Sequence, residues 1–161
     1  MHLALATALL ALATQTSDPT IPANLHTFAT VEAHGVQIYT CGQQGNAFQW
    51  ILKAPDATLF DPATHQPVGT HSEGPQWTWK DGSVIQGKVL QKVPSPDAKS
   101  IPWLLLEAQP VAEHPGELSK ITRIRRSDTQ AGSAPADGCS DGSELGDIVR
   151  VPYQATYTFY Y

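Results

Sequence analysis

The chain of 161 residues carries a formal net charge of −5, and only 16% of its residues are charged. The acidic balance argues against a nucleic-acid partner, and a hydrophobic share of 41% excludes a disordered chain. Thirteen prolines and 12 glycines argue against a helical bundle, because both residues interrupt helices. No apolar run approaches the roughly 20 residues that a membrane-spanning helix needs.

The N-terminus has the pattern of an export signal. Residues 3–13 form an apolar run without charge, and Ala11-Leu12-Ala13 has the small-x-small form of a signal-peptidase site. We therefore predict a signal peptide over residues 1–13, a polar linker over 14–26 and a single β-domain over 27–161, in a secreted or periplasmic protein. A buried N-terminal helix is the alternative interpretation of the same apolar run.

Most of the remaining chain alternates between apolar and polar residues with a period of two, which is typical of β-strands. The predicted strands cover residues 27–33, 36–41, 48–52, 58–60, 77–80, 83–93, 103–108, 121–126 and 149–161. A shift of the apolar phase at His34-Gly35 predicts a bulge or a turn, and Pro55 is expected to end the strand before it. Asp81-Gly82 is a type I′ hairpin signal. The predicted fold is a single all-β domain, an antiparallel sandwich or barrel of about seven to nine short strands.

The C-terminal strand shows the longest alternation. Tyr153, Tyr157 and Phe159 fall on one face, which we expect to be buried. Pro152 cannot donate a backbone hydrogen bond to a neighbouring strand, so this strand is predicted to lie at an edge or to bulge near its start. Residues 128–147 are rich in Gly, Ser, Ala and Asp, and they predict a long loop that is either functional or mobile.

The chain contains two cysteines, Cys41 and Cys139. An even number of cysteines in an exported chain suggests a disulfide, and Cys139 lies in a polar loop where a free thiol would be exposed. We therefore predict a Cys41–Cys139 bridge. No C-x-x-C motif is present for a redox site or a paired-thiolate zinc site.

Common catalytic and nucleotide-binding motifs are absent from the sequence. The weak catalytic candidates are His34, His71 and Asp81. A metal site built from His34, His65 and His71 is not required by their spacing, so we expect no metal and no cofactor. The acidic residues of the long loop lack the order of a calcium site and predict a solvated surface. These are Asp137, Asp141, Glu144 and Asp147.

Aromatic residues suggest a binding platform. Trp77 and Trp79 share one face of a strand close to a hairpin tip, where burial is usually incomplete. We therefore expect one of them to keep accessible ring surface and to contribute to a ligand site, although aromatic residues in β-proteins mostly fill the core. The basic residues Arg123, Arg125 and Arg126 are interpreted as the solvated face of one strand.

Several segments together resemble a family of proteins of unknown function, DUF3455. They are H-G-V-Q-I-Y-T-C (34–41), W-I-L-K-A-P-D-A-T-L-F-D (50–61), G-T-H-S-E-G-P-Q-W (69–77), I-P-W-L-L-L (101–106), I-R-R-S-D-T (124–129) and V-P-Y-Q-A-T-Y-T-F-Y (151–160). The resemblance implies an exported, β-rich domain without assigned catalytic residues. Ala131 stands where the family tends to have the first of two glycines. Some relatives bear a malate dehydrogenase label, but the chain lacks the dinucleotide-binding turn and the βαβ pattern, so we expect no dinucleotide partner.

The leading functional hypothesis is an exported, non-enzymatic β-domain that binds a small molecule, a glycan or a surface partner, with the oligomeric state left open. One alternative is an extracytoplasmic, hydrolase-like enzyme that uses His34, His71 and Asp81. Another is a structural protein of the envelope or matrix. Convergence of the three polar residues in one pocket would favour an enzyme, and an aromatic-lined groove without them would favour a binding protein.

Overall fold

A computed structural model describes residues 18–161, and within them eight antiparallel strands close into a barrel. Each strand pairs with the next along the chain, and β8 pairs with β1 to complete the circle. The strands are β1 Thr27–Gln44, β2 Ala47–Phe60, β3 Pro67–Ser72, β4 Gln76–Trp79, β5 Val84–Val93, β6 Trp103–Pro110, β7 Arg123–Ala131 and β8 Ile148–Tyr160. The predicted all-β antiparallel fold is confirmed, as a barrel rather than a sandwich. The predicted signal peptide lies outside the described residues.

The alternation of β8 decides which side chains fill the barrel. Tyr153, Tyr157 and Phe159 are at most 2% exposed, so the prediction that this face is buried is confirmed. Residues 148–152 pair with β1, and the pairing of β8 with β7 begins at Tyr153. Pro152 therefore lies in a part of β8 that has a neighbour on one side only, an edge position in which a sheet tolerates proline.

The predicted break at His34-Gly35 is wrong. β1 continues through both residues, and its pairing with β2 shifts instead between Ile38 and Tyr39. A side chain at Gly35 would approach the Asp56 carbonyl oxygen to 2.1 Å, so the glycine lets two strands come close rather than turning the chain.

Pro55 does not end a strand, because β2 runs from Ala47 to Phe60 as one element. Pro55 lies opposite Gln37, next to the register shift, and a bulge is a position where a sheet tolerates proline. The sequence pattern also missed β3 entirely. That strand is only six residues long and contains Gly69. A Cβ at Gly69 would lie 2.4 Å from the Thr78 carbonyl oxygen.

The β4–β5 hairpin is confirmed, but its turn is not type I′. Gly82 has a φ of 83°, whereas Asp81 is not among the residues with positive φ in the described chain. The Gly82 N–H donates to the Trp79 carbonyl, and the Trp79 N–H donates to the Ser83 carbonyl. This is the three-residue hairpin loop in which a left-handed glycine closes the turn.

One end of the barrel is closed by packed side chains. The connection between β6 and β7 contains a short 3₁₀-helix, Glu117–Lys120, that places Leu118 in the core, and Ile121 follows it. Both are at most 1% exposed, and they belong to the same core cluster as Trp79 and Phe159. Burial of these large side chains seals this end against water.

The opposite end carries the β1–β2, β3–β4, β5–β6 and β7–β8 connections. The last of these spans residues 132–147 and includes a second 3₁₀-helix, Gly142–Glu144. The Cys41–Cys139 disulfide, with 5.4 Å between its Cα atoms, joins this connection to β1. The Trp50 indole N–H donates to the Asp137 carbonyl at 2.9 Å and adds a second tether. We call residues 132–147 the tethered loop.

The segment before β1 lies on the outside of the barrel. Asp18 pairs with Arg125 of β7, and the Thr20 N–H donates to the Gln91 side chain of β5. Pro19, between them, is buried. Leu105 belongs to β6, which lies between β5 and β7, and its side chain is on the outer face of the sheet. Only 2% of this side chain is exposed. Within residues 18–161, no helix combines the length and the apolar character that crossing a membrane requires.

Candidate functional site

A cavity of about 440 Å³ opens at the end of the barrel that carries the tethered loop. An eight-stranded barrel is just wide enough to be filled by side chains or to hold one small ligand. Its lining is mostly apolar and aromatic, and it includes Gln37, Tyr39, Trp50, Leu52, His71, Trp77, Val89, Lys92, Leu104, Leu106, Arg126 and Tyr157. All eight strands contribute to this set, so the barrel itself builds the site.

Three aromatic rings form the inner wall of the cavity. The imidazole of His71 stacks on the indole of Trp77, with 4.2 Å between ring centroids and 9° between ring planes. The Tyr157 phenol meets both rings edge to face, at 5.2 Å from His71 and 5.6 Å from Trp77. All three residues are at most 3% exposed, so their orientation is fixed by packing.

His71 is neutral, and its hydrogen bond identifies the ring nitrogen that carries the proton. Burial lowers its pKa from 6.5 to about 3, and the positive charge of Arg126 acts in the same direction. Nδ1 lies 2.8 Å from the Gln76 carbonyl oxygen. A carbonyl can only accept, so Nδ1 carries the proton and Nε2 keeps a lone pair. The side chain therefore presents a hydrogen-bond acceptor, not a cation.

Several polar atoms around the cavity have no partner in the described chain. They are Nε2 of Gln37, Nε1 of Trp77 and the hydroxyl of Tyr157, and each is buried. Buried polar groups are normally hydrogen-bonded, because an unpaired one costs about 1–3 kcal/mol. Gln37 and Tyr157 were not among the predicted site residues. The alternation of side chains along β1 and β8 places both residues on inward faces, and this alternation is the sequence feature that could have identified them.

Arg126 projects into the cavity, so the expectation of one solvated basic face is wrong. It shares the inward face of β7 with Ile124, and the period of two already implied that position. Arg125 points outward and pairs with Asp18. The Nε and Nη2 atoms of Arg126 donate to the Pro102 carbonyl at 3.0 and 2.8 Å, which fixes the guanidinium at the barrel wall.

The expected accessible tryptophan platform is wrong. Trp77 is 1% exposed and Trp79 is 6% exposed, so neither ring lies open near the hairpin tip. Both lie on the inward face of β4, with Thr78 between them on the other face. Trp79 packs at the closed end against Phe28 and Phe159. Trp77 instead forms part of the cavity wall.

The candidate catalytic residues do not come together. His34 is on the outer face of β1, where it lies beside Glu32 and borders a shallow surface groove. His71 is inside the barrel, and Asp81 is in the turn at the closed end. Asp81 accepts hydrogen bonds from the Glu117 N–H at 2.7 Å and from both the N–H and the hydroxyl of Ser83. These bonds, that of Glu117 first, lower the pKa of Asp81, which acts as a structural anchor for the Glu117–Lys120 helix.

Within residues 18–161, no group of three or more His, Cys, Asp and Glu side chains is placed to hold a metal ion. Two acidic residues of the tethered loop, Asp141 and Glu144, accept hydrogen bonds from the loop's own backbone. Asp141 accepts from the Ser143 N–H at 2.7 Å and caps the second 3₁₀-helix. Glu144 accepts from the Ser140 N–H, and this bond is the main cause of its lowered pKa.

Comparison with known families agrees with this architecture of one continuous domain. The model of a family described as proteins of unknown function, DUF3455, matches residues 22–161, and the chain belongs to this family. No curated protein and no solved structure shows significant similarity to the chain.

Proposed function

We propose that this member of the DUF3455 family is an exported binding protein that holds one small, flat, largely apolar molecule inside its barrel. The observation that carries the proposal is the cavity of about 440 Å³, open at one end and walled by buried aromatic rings. This volume is within the range of ligand sites, which is roughly 300–1,000 Å³.

The shape and chemistry of the wall favour a planar molecule over a glycan. His71, Trp77 and Tyr157 present ring faces and edges deep in the barrel, where a flat apolar ligand gains the most contact. Nearer the mouth, Leu52 and Val89 are 52% and 47% exposed and give the entrance apolar walls. A branched, heavily hydroxylated glycan would leave most of its hydroxyl groups without partners there.

The disulfide supports the export part of this proposal. Disulfides persist in oxidising compartments, and the Cys41–Cys139 bridge joins two segments 98 residues apart. It also anchors the tethered loop beside the cavity mouth. A cytosolic location would expose this bridge to reducing thiols.

The experiment uses N-phenyl-1-naphthylamine, a neutral aromatic probe whose fluorescence increases in apolar surroundings. We expect saturable binding with one probe per barrel. Val89→Trp places a large ring at the cavity mouth and should weaken binding at least about tenfold. Leu90→Trp is the matched control, because Leu90 is the next residue, is also 47% exposed and does not line the cavity. Equal binding by the two variants would contradict the proposal.

A further inference from the structure

The cavity contains basic groups and no acidic group. Its lining includes Arg126 and Lys92, whereas none of the lining residues is Asp or Glu. Lys92 is exposed at the mouth, and Arg126 is half-buried deeper in the barrel. Because the chain as a whole carries a net charge of −5, this local positive charge is opposite to that of the molecule.

Arg126 has donor capacity that the described chain does not use. Two of its nitrogens, Nε and Nη2, donate to the same Pro102 carbonyl, and Nη1 donates to no acceptor within residues 18–161. No carboxylate of the described residues lies within 4.0 Å of it, although the neighbouring Arg125 is paired with Asp18. A guanidinium held at a cavity wall without a counter-ion is a ready site for an anionic group.

The other polar groups of the wall agree with this assignment. Nε2 of Gln37 and Nε1 of Trp77 are hydrogen-bond donors without partners in the described chain. His71 is neutral because it is buried, and its Nδ1 proton is donated to the Gln76 carbonyl, which leaves Nε2 as an acceptor. The unpaired donors of Gln37 and Trp77, together with the Arg126 guanidinium and the Lys92 ammonium, suit a ligand group that accepts hydrogen bonds.

We propose that the ligand is an aromatic or similarly flat acid, whose anionic group pairs with Arg126 while its ring lies against His71, Trp77 and Tyr157. This inference rests on the proposed function and adds the charge class of the ligand. The Arg126 side chain would be the specificity-determining group, and Lys92 at the entrance would favour the approach of an anion.

The test compares two ligands of nearly equal shape, 2-naphthoate and the neutral 2-naphthamide, by displacement of N-phenyl-1-naphthylamine and by calorimetry. The wild-type protein should bind the carboxylate at least about tenfold more tightly, as expected for one charge-assisted hydrogen bond. Arg126→Gln should reduce this preference to about one, because glutamine keeps an N–H donor near the Pro102 carbonyl but has no charge. Arg125→Gln is the matched control on the outer face and should keep the wild-type preference.

Arg126→Lys provides a second variant, which keeps the charge and should retain a preference for the carboxylate even if the glutamine variant fails to fold. Equal affinity of the wild-type protein for naphthoate and naphthamide would overturn the charge assignment and leave the cavity proposal standing. A preference that survives in folded Arg126→Gln would overturn the role of Arg126. Failure of all three aromatic compounds to bind would overturn both proposals.

Discussion

The imidazole of His71 lies nearly parallel to the indole of Trp77, with 4.2 Å between ring centroids, and both side chains are buried. The same contact that orders the cavity wall keeps the histidine uncharged. Protonation would place a cation in the stack without a carboxylate beside it among the described residues, close to the positive charge of Arg126. Acid should therefore destabilise the folded protein by protonating His71.

The pH dependence of stability tests this relationship. The pKa of His71 is about 3 in the folded protein against 6.5 without the fold, so between these values the unfolded chain binds more protons. The free energy of unfolding should then fall as the pH decreases through this window, by up to about 1.4 kcal/mol per pH unit. In His71→Phe, which keeps an aromatic ring but cannot titrate, urea unfolding at pH 7 and pH 4.5 should show a smaller acid loss.

The matched control is His34→Gln on the outer face of β1. This substitution also removes an imidazole but leaves the cavity wall intact, so the wild-type acid loss should remain. If His71→Phe loses stability with acid as steeply as the wild-type protein, the assignment of the acid sensitivity to His71 is wrong.

Truncation of the closed end should destabilise the barrel far more than truncation of the mouth. Phe159 is fully buried and meets Trp79 edge to face at 5.9 Å, so Phe159→Ala should cost about 3–5 kcal/mol. Leu52→Ala at the mouth removes a side chain that is 52% exposed and should cost less than about 1 kcal/mol. Urea denaturation measures both values, and similar costs would contradict a sealed end opposite an open one.

The period of two predicted the position of every strand except β3 and the buried face of β8, although it split β1 and β2, because side chains alternate across any strand. It did not show that the sheet closes on itself. In a closed barrel the face of β4 that carries Trp77 and Trp79 is enclosed by the rest of the sheet, so both rings are buried beside a short hairpin where the sequence suggested exposure. Closure also brings Gln37 of β1 into the same cavity as Arg126 and Tyr157, which are cross-strand partners in the β7–β8 pair. No local pattern contains that information.

The disulfide gives a prediction about both the stability of the protein and the oxidation state of its cysteines. A bridge between residues 98 apart should stabilise the protein by about 4–5 kcal/mol through loop closure in the unfolded chain. Replacing Cys41 and Cys139 together with serine should lower the midpoint of urea unfolding accordingly. Intact-mass analysis of the protein after alkylation should show no alkylated thiol before reduction and two afterwards. Two alkylated thiols without reductant would contradict the bridge.

The junction of β7 with the tethered loop contains a strained residue. Ala131 has a φ of 56°, and Gly132 follows with a φ of 85°, so two successive residues have left-handed backbone. Hydrogen bonds from two other segments keep the backbone in this conformation. The Ile101 N–H donates to the Ala131 carbonyl at 2.9 Å, and the Tyr39 hydroxyl donates to the Gly132 carbonyl at 2.7 Å. Tyr39 lines the cavity, so this turn also positions part of the site wall.

Ala131→Gly should therefore stabilise the protein by about 1 kcal/mol, since a left-handed conformation costs an L-residue roughly 1–2 kcal/mol and costs glycine little. Gly132→Ala should act in the opposite direction. A Cβ there would lie 2.7 Å from the Cβ of Tyr153, in addition to the unfavourable φ, so a loss of about 1–3 kcal/mol is expected. Urea unfolding of the two single variants measures both effects. A destabilising Ala131→Gly would contradict the strain assigned to Ala131.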